Sequence, residues 1–137
     1  MFSENSADLW DKRIHMSKSK KTLVLGASEN PGRYSYLAVN RLLDHGHEVI
    51  AIGKSKGMIR DTPIINEQAP AAAVDTITLY LNPTNQQKYY DYILATKPKR
   101  IIFNPGTENT ELETLAEKAG IETMEACTLV LLSTGQY

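Results

Sequence analysis

The sequence predicts an α/β fold: a doubly wound, mostly parallel sheet of five to six strands with helices on both faces. Short apolar runs at residues 22–25 and 49–52 are typical of strands that are buried on both faces. Segments with helical periodicity alternate with such runs along the chain. The length of 137 residues, with 42% apolar and 23% charged residues, is that of one ordinary globular domain.

Local patterns predict each element in turn. A turn rich in Ser, Asn, Pro and Gly separates the first strand from an amphipathic helix that ends before Gly46. In chain order we expect strand 22–25, helix 34–45, strand 49–52, loop 53–63, a very short strand at 64–65, strand 76–81, helix 82–96, strand 100–103, helix 110–119, strand 121–124, and 128–132 as a strand or a packed tail. Asn82 and Pro83 suit the N-cap and first position of the second helix, and Thr110 with Glu113 suits a capping box for the third. Right-handed crossovers between such strands give a Rossmann-like order.

The first 20 residues are set apart as a leader or extension that we expect to be poorly ordered, and residues 21–137 as one domain. Met16 is followed by a Ser-Lys-Ser-Lys-Lys run and then by the first strand, so it suits a natural start. A short amphipathic helix at residues 7–14 is the alternative.

Charge and composition limit the classes of function. Fifteen basic and 16 acidic side chains nearly cancel, so no overall field attracts nucleic acid or an anionic membrane. No apolar run approaches the roughly 20 residues that a membrane-spanning helix needs. The single cysteine, Cys127, cannot form an intrachain disulfide, which fits a reducing compartment. We expect a cytoplasmic protein with a small-molecule ligand and without a nucleic-acid or membrane partner.

Four polar segments directly follow predicted strands and are expected to meet at one end of the sheet. In such folds ligands bind beyond the carboxyl ends of the strands, where the strand order reverses. The segments are residues 26–34, 53–57, 82–83 and 104–108. The candidate binding residues within them are Gly26, Ala27, Ser28, Asn30, Pro31, Arg33, Tyr34, Gly53, Lys54, Lys56, Asn82, Pro83, Asn104, Pro105 and Gly106.

The first segment has the character of a phosphate site. Gly26 allows the backbone to approach a ligand closely, and the following helix offers free N–H groups and the positive end of its dipole. Ser28 adds a hydroxyl group and Arg33 a bidentate cation. The dinucleotide motif G-x-G-x-x-G would require glycine at Ser28 and Pro31, so the usual binding mode of NAD is disfavoured. A tight turn that binds nothing is the alternative.

The second segment places Lys54 and Lys56 where NAD enzymes carry an acidic residue for the ribose hydroxyls. Cations at this point suit a phosphorylated ribose, either the 2′-phosphate of NADP or the 3′-phosphate of coenzyme A (CoA). An exposed basic loop is the alternative. The third and fourth segments suit the walls of a cleft, although both also suit helix starts.

Signals for catalysis are weak. His45 and His47 flank a helix-stopping glycine and are expected at the surface or at a cap. Cys127 is expected to be a buried structural thiol, because the sequence gives it no evident base. No His/Cys cluster has metal-binding spacing, and no catalytic set stands out. The balance favours a binding protein over an enzyme.

The run TLVLGASENPGRYS at residues 22–35 resembles the small bacterial and archaeal CoA-binding proteins, whose domain is similar to the N-terminal domain of the succinyl-CoA synthetase alpha subunit. That family typically has an apolar strand, Gly-Ala-Ser, two variable residues and Pro, often with a basic residue just after. Further matches are NPGTE at residues 104–108 and EAC at residues 125–127, and the resemblance covers about residues 20–132.

The resemblance implies that Gly26, Ala27, Ser28, Pro31 and Arg33 border the pyrophosphate of CoA. This chain has Gly53-Lys54 where the family usually has Asn-Pro and a basic residue, which keeps a cation but changes the backbone. The synthetases use a phosphorylated histidine from a further domain, so their catalysis does not carry over.

Three functions remain open. The first is a module that binds CoA or an acyl-CoA without chemistry of its own, as a carrier, a sensor or the partner of a larger acyl-CoA enzyme. The second is an NADP-dependent oxidoreductase, which needs a substrate pocket and a proton donor. The third is a scaffold that acts through protein interaction and whose cleft is occluded. A homo-oligomer such as a dimer is expected from the tyrosine-rich segment at residues 89–92 and the apolar tail.

Overall fold

A computed structural model describes residues 19–137. The expected leader up to residue 18, with Met16 and the alternative helix at residues 7–14, lies outside the described residues. Over residues 19–137 the strands are β1 (Thr22–Ala27), β2 (Val49–Gly53), β3 (Gly57–Ile59), β4 (Thr62–Ile65), β5 (Thr76–Leu79), β6 (Arg100–Phe103) and β7 (Glu122–Glu125). The α-helices there are α1 (Tyr34–Asp44), α2 (Pro83–Gln86), α3 (Tyr90–Thr96), α4 (Thr110–Lys118) and α5 (Thr128–Ser133), and a 3-10 turn, Gln87–Tyr89, joins α2 to α3.

The described strands form one sheet in the order β3-β4-β2-β1-β5-β6-β7. Neighbouring strands run parallel, apart from the antiparallel pair β3 and β4. From β1 the chain moves outward to one edge and then returns to β5 on the other side of β1. The strand order therefore reverses between β1 and β5, and the predicted doubly wound, Rossmann-like sheet is confirmed.

Two hydrophobic clusters cover the two faces of the sheet. Alternate residues of β1 face opposite sides, because the side-chain period of a strand is two. Leu23 and Leu25 lie in the cluster with buried residues of α3 and α4, whereas Val24 lies in the cluster with buried residues of α1 and α5. Helices thus pack on both faces, as predicted, and the central strands β1, β5 and β6 between them are almost wholly buried.

The sheet has seven described strands rather than five to six, because part of the predicted loop 53–63 is a strand. Gly57–Ile59 pairs with β4 in a tight hairpin whose turn contains Arg60 at φ 54°. Ile59 is buried in the core, which stabilises this edge of the sheet. The predicted strand or tail at residues 128–132 is instead the helix α5, and its buried Leu132 packs in the same cluster as α1.

Two of the described helices begin at an asparagine whose side chain caps the first turn. Asn82 caps α2 as predicted, since its Oδ1 accepts a hydrogen bond from the Asn85 N–H at 2.9 Å, and Pro83 occupies the first turn. The predicted capping box of Thr110 and Glu113 is wrong. Asn109 caps α4 instead, with its Oδ1 accepting from the Leu112 N–H at 3.1 Å.

The amino ends of the central strands are closed by a polar cluster around Arg100. Arg100 is 8% exposed, and its guanidinium donates to the Thr76 hydroxyl at 2.7 Å and to the Tyr137 carbonyl at 3.0 Å. The same group lies 4.5 Å from the centre of the Tyr137 ring. This cluster lies at the end of the sheet opposite the carboxyl ends of the strands. Within residues 19–137, no helix has both the length and the hydrophobicity needed to span a bilayer.

Candidate functional site

A cleft of about 630 Å³ opens beyond the carboxyl ends of β1, β2, β5 and β6. It lies where the strand order reverses, and its volume is within the range of small-molecule sites. All four polar segments predicted from the sequence contribute residues to it. The cleft is lined by Gly26, Ala27, Ser28, Glu29, Asn30, Arg33, Tyr34, Ser35, Lys54, Ser55, Lys56, Tyr80, Leu81, Asn82, Asn85, Pro105, Gly106 and Thr107.

Most of the predicted site residues line this cleft, but four do not. Pro31, Gly53, Pro83 and Asn104 lie outside the lining, although each belongs to a segment that contributes to it. The residues that sequence reasoning missed are Glu29, Ser35, Ser55, Tyr80, Leu81, Asn85 and Thr107. Glu29, Ser55 and Thr107 lie within the predicted segments, although they were not singled out. Tyr80 and Leu81 directly follow β5, whereas Ser35 and Asn85 lie in α1 and α2, where the sequence gave no signal of a site.

Two glycines allow the strand ends to close around the base of the cleft. Gly26 has φ 97°, and a Cβ built there would lie 2.9 Å from the backbone C and O of Tyr80. A Cβ on Gly53 would lie 2.2 Å from the carbonyl oxygen of Ala27. Gly53 therefore does not face a ligand. It permits the close approach of β1 and β2 that positions the loops above them.

The loop before α1 is held by its own side chains. The Gly32 N–H donates to the Asn30 Oδ1 at 2.9 Å, and the Asn30 N–H donates to the Ser28 Oγ at 3.1 Å. The N-cap residue of α1 is Arg33, whose side chain cannot accept a hydrogen bond from the helix. Because the first N–H groups of a helix have no partner within it, this helix start is suited to an anionic ligand.

The charged residues described as lining the cleft are mostly cations. Arg33, Lys54 and Lys56 stand against the single carboxylate of Glu29, and all four side chains are exposed. Glu29 is engaged structurally, since its Oε2 accepts from the Met58 N–H of β3 at 2.9 Å. This bond ties the first loop to the hairpin that follows the two lysines. The cleft therefore has a local positive field that the near-neutral whole chain lacks.

The opposite wall of the cleft is held by buried amides. Asn104 is 2% exposed, and its Nδ2 donates to the Thr78 hydroxyl at 2.7 Å and to the Leu79 carbonyl at 2.8 Å. Its Oδ1 accepts from the Thr128 N–H at 2.8 Å. Every polar atom of the Asn104 side chain is thus used within the fold, so this residue supports the cleft from below instead of lining it.

Tyr80 lines the cleft, whereas Cys127, His45 and His47, the residues weighed for catalysis from the sequence, do not. Burial, together with the neighbouring Cys127, raises the pKa of the Tyr80 hydroxyl above its ordinary value, so Tyr80 stays neutral at physiological pH. The expected burial of Cys127 is wrong: the residue is half-buried and directly precedes α5. His45 is exposed, and its Nδ1 contacts the Arg41 carbonyl at 2.8 Å. His47 is partly buried and accepts from the Lys20 N–H at 2.9 Å.

Comparison with known proteins gives both a family and a fold. The family described as CoA binding domain matches residues 20–133. A crystal structure of an uncharacterized protein is 55% identical, with a TM-score of 0.85, and the alignment covers 87% of this chain and 98% of that one. A hypothetical protein from Pyrococcus horikoshii OT3 (21% identity, TM-score 0.77, 90% and 89% covered) shares the fold. So does a cell-free protein from Thermus thermophilus (20% identity, TM-score 0.74, 93% and 98% covered). No curated protein matches the chain significantly.

Proposed function

Because the chain belongs to the CoA-binding domain family, we propose that its cleft binds coenzyme A or an acyl-CoA. One observation carries the assignment to this cleft. The start of α1, the guanidinium of Arg33 and the loop of Lys54 and Lys56 all line the same open space. Two separate clusters of positive charge suit a ligand with two separate phosphate groups, and CoA has a pyrophosphate and a 3′-phosphate.

The pyrophosphate is assigned to the loop at residues 26–34. Free N–H groups at the start of α1 and the Arg33 side chain supply donors for it. The 3′-phosphate is assigned to Lys54 and Lys56, which the hairpin holds beside the first loop through Glu29. The pantetheine arm then extends between the loops at residues 80–85 and 105–107, which carry no charged lining residue among those described.

The function proposed is binding, with no reaction assigned to the chain. A module of this kind suits a carrier, a sensor or the partner of a larger acyl-CoA enzyme. A scaffold without a ligand would have an occluded cleft, whereas this cleft is open. The tyrosine segment no longer supports a homo-oligomer, because Tyr89 and Tyr92 are buried in the core of this chain. The apolar tail still does, since Val130 is 53% exposed. The oligomeric state stays a prediction.

Isothermal titration with CoA, NADPH and NADH tests the ligand class. We expect saturable binding of CoA that neither nicotinamide nucleotide displaces. Binding of NADPH alone would instead support an oxidoreductase, and no heat with any of the three would support the scaffold. Arg33→Ala is expected to weaken CoA binding about tenfold or more, the value of a lost charge-assisted hydrogen bond.

Lys88→Ala is the matched control for Arg33→Ala. Lys88 is exposed, lies over the Tyr89 ring at 5.4 Å and is not among the cleft-lining residues. Its loss is expected to change the affinity for CoA less than about twofold, because a distant surface charge is screened. Equal effects of the two substitutions would show that the phosphate site is misplaced.

Dephospho-CoA, which lacks the 3′-phosphate, tests the second charge cluster. Lys54→Ala and Lys56→Ala are expected to weaken binding of CoA several-fold and to leave binding of dephospho-CoA nearly unchanged. If both ligands lose the same affinity in these variants, the lysines do not recognise the 3′-phosphate.

A further inference from the structure

A buried glutamine connects the two loops that form the far wall of the cleft. Gln86 is 0% exposed and lies behind the lining residues, at the end of α2. Its Nε2 donates to the Leu81 carbonyl at 2.7 Å and to the Thr107 carbonyl at 2.8 Å. Leu81 belongs to the loop after β5 and Thr107 to the loop after β6, and both residues line the cleft. One nitrogen atom thus bridges the two loops.

The chemistry of this position requires a primary amide. The Nε2 group donates one N–H to each of the two carbonyls, and the Oε1 accepts a hydrogen bond from the Asn109 Nδ2 at 2.9 Å. Two acceptors on one side and a donor on the other also define which end of the amide is nitrogen. No carboxylate or apolar side chain of the same length satisfies all three groups.

Asn109 extends the connection to the next helix. Its Nδ2 also donates to the Tyr90 hydroxyl at 2.9 Å, and its Oδ1 caps α4 through the Leu112 N–H. The loop after β6 is therefore held at its middle by the Gln86 contact with Thr107 and at its end by the Asn109 cap of α4. Such a network is strong only when each member is satisfied, so the removal of one partner loosens the rest.

We propose that Gln86 is a positioning residue: it fixes the spacing of the two loops and thereby the fit of the ligand's pantetheine arm. It does so without touching the ligand. The inference rests on the proposed function, because it assumes that CoA occupies the cleft with its arm between these loops. Gln86 follows no strand, is buried and carries no charge, so the sequence alone gives it no role.

Two variants and two controls test the proposal. Gln86→Glu replaces a donor with an acceptor, and Gln86→Met keeps the length of the side chain without adding a charge, in case the glutamate variant does not fold. Gln87→Glu and Gln87→Met are the controls, since Gln87 is the next residue and is exposed. Each variant is titrated with CoA and with adenosine 3′,5′-bisphosphate, which lacks the pantetheine arm.

The Gln86 variants are expected to weaken CoA about tenfold and adenosine 3′,5′-bisphosphate less than about twofold, while the Gln87 variants match the wild type. A residue that only stabilises the fold would leave both affinities unchanged below the melting temperature. An equal loss for both ligands, or no loss for CoA, overturns the proposal.

Amide hydrogen exchange on the ligand-free protein separates this inference from the proposed function. In Gln86→Met, exchange is expected to accelerate about tenfold or more at residues 104–109, because the loop loses its anchor at Thr107. Unchanged exchange there overturns the positioning role. If the wild type binds no CoA, the proposed function fails, and the exchange result still decides whether Gln86 holds the loops.

Discussion

Replacing Gly26 by alanine tests whether the turn after β1 depends on a close backbone contact. Gly26 has φ 97°, a conformation that residues with a side chain rarely adopt. A Cβ at this position would lie 2.9 Å from the C and O atoms of Tyr80 and 3.1 Å from the Cδ2 of Leu81. The Tyr80 atoms belong to the backbone directly after β5, so they cannot move without displacing the end of that strand.

The expected loss of stability has two parts. A non-glycine residue at such a φ costs about 1–3 kcal/mol in backbone strain. Forcing a methyl group into closely packed atoms costs about 1–3 kcal/mol more. Together they amount to about 4 kcal/mol, a large share of the roughly 5–15 kcal/mol that stabilises a typical domain. For a domain of this size we expect the melting temperature to fall by roughly 15 °C.

Gly106→Ala is the matched control for this experiment. Gly106 also has a positive φ, 91°, but a Cβ there would meet no atom of the described residues within 4 Å. Its substitution is expected to cost only the strain, about 1–3 kcal/mol. The free energy of unfolding from urea titration at 25 °C measures both variants. If the two losses agree within about 0.5 kcal/mol, the contact with Tyr80 contributes nothing and the argument from close packing is refuted.

Three further predictions concern the carboxyl group of Glu113, the polar cluster around Arg100 and the oligomeric state. Burial, and then a hydrogen bond and the charge of Glu125, raise the pKa of Glu113 from 4.5 to about 7, so this group's contribution to stability is lost as the pH rises from 4.5 through 7. At pH 8 the free energy of unfolding of Glu113→Gln, measured by urea titration, is therefore expected to exceed that of the wild type by about 1 kcal/mol after solvent screening. At pH 4 the two proteins are expected to be equally stable. An equal difference at both pH values contradicts this. Arg100→Lys is expected to cost about 1–2 kcal/mol, because a lysine cannot bond both partners and stack on the ring. The affinity for CoA should not change, and a large change would mean that the two ends of the sheet are coupled. Light scattering is expected to give the mass of a dimer, and a monomeric mass refutes the homo-oligomer.

The parts of the fold that the sequence predicted correctly depend on local signals. Buried strands such as β1 and β2 are continuous apolar runs, and Gly46 and Asn82 mark helix ends by their own chemistry. The order of these elements then limits the sheet to a doubly wound arrangement. The four loops of the cleft follow from the same reasoning, because the carboxyl ends of parallel strands lie on one edge of the sheet.

The parts that the sequence missed depend on distant partners. The start of α5 is bonded to the Oδ1 of Asn104, 24 residues earlier, so the apolar run at 128–132 gives no helix signal by itself. The tyrosines of residues 89–92 suggested a surface for association. Tyr92 instead packs in the core and donates its hydroxyl to the Ala69 carbonyl at 2.6 Å.

The same distinction applies within the site, where the loops are predictable but the contacts that hold them in place are not. Lys54 and Lys56 were predicted as phosphate ligands from their position after β2, yet the loop that holds them ends in β3, a strand that was not predicted. That strand is fastened to the first loop by Glu29, whose carboxylate accepts from the Met58 N–H. A carboxylate among phosphate-binding cations would ordinarily weaken an anion site. Here the Glu29 carboxylate accepts a hydrogen bond from the hairpin backbone, which offsets part of its negative charge. The same bond holds the hairpin, and with it the two lysines that precede it, beside the first loop.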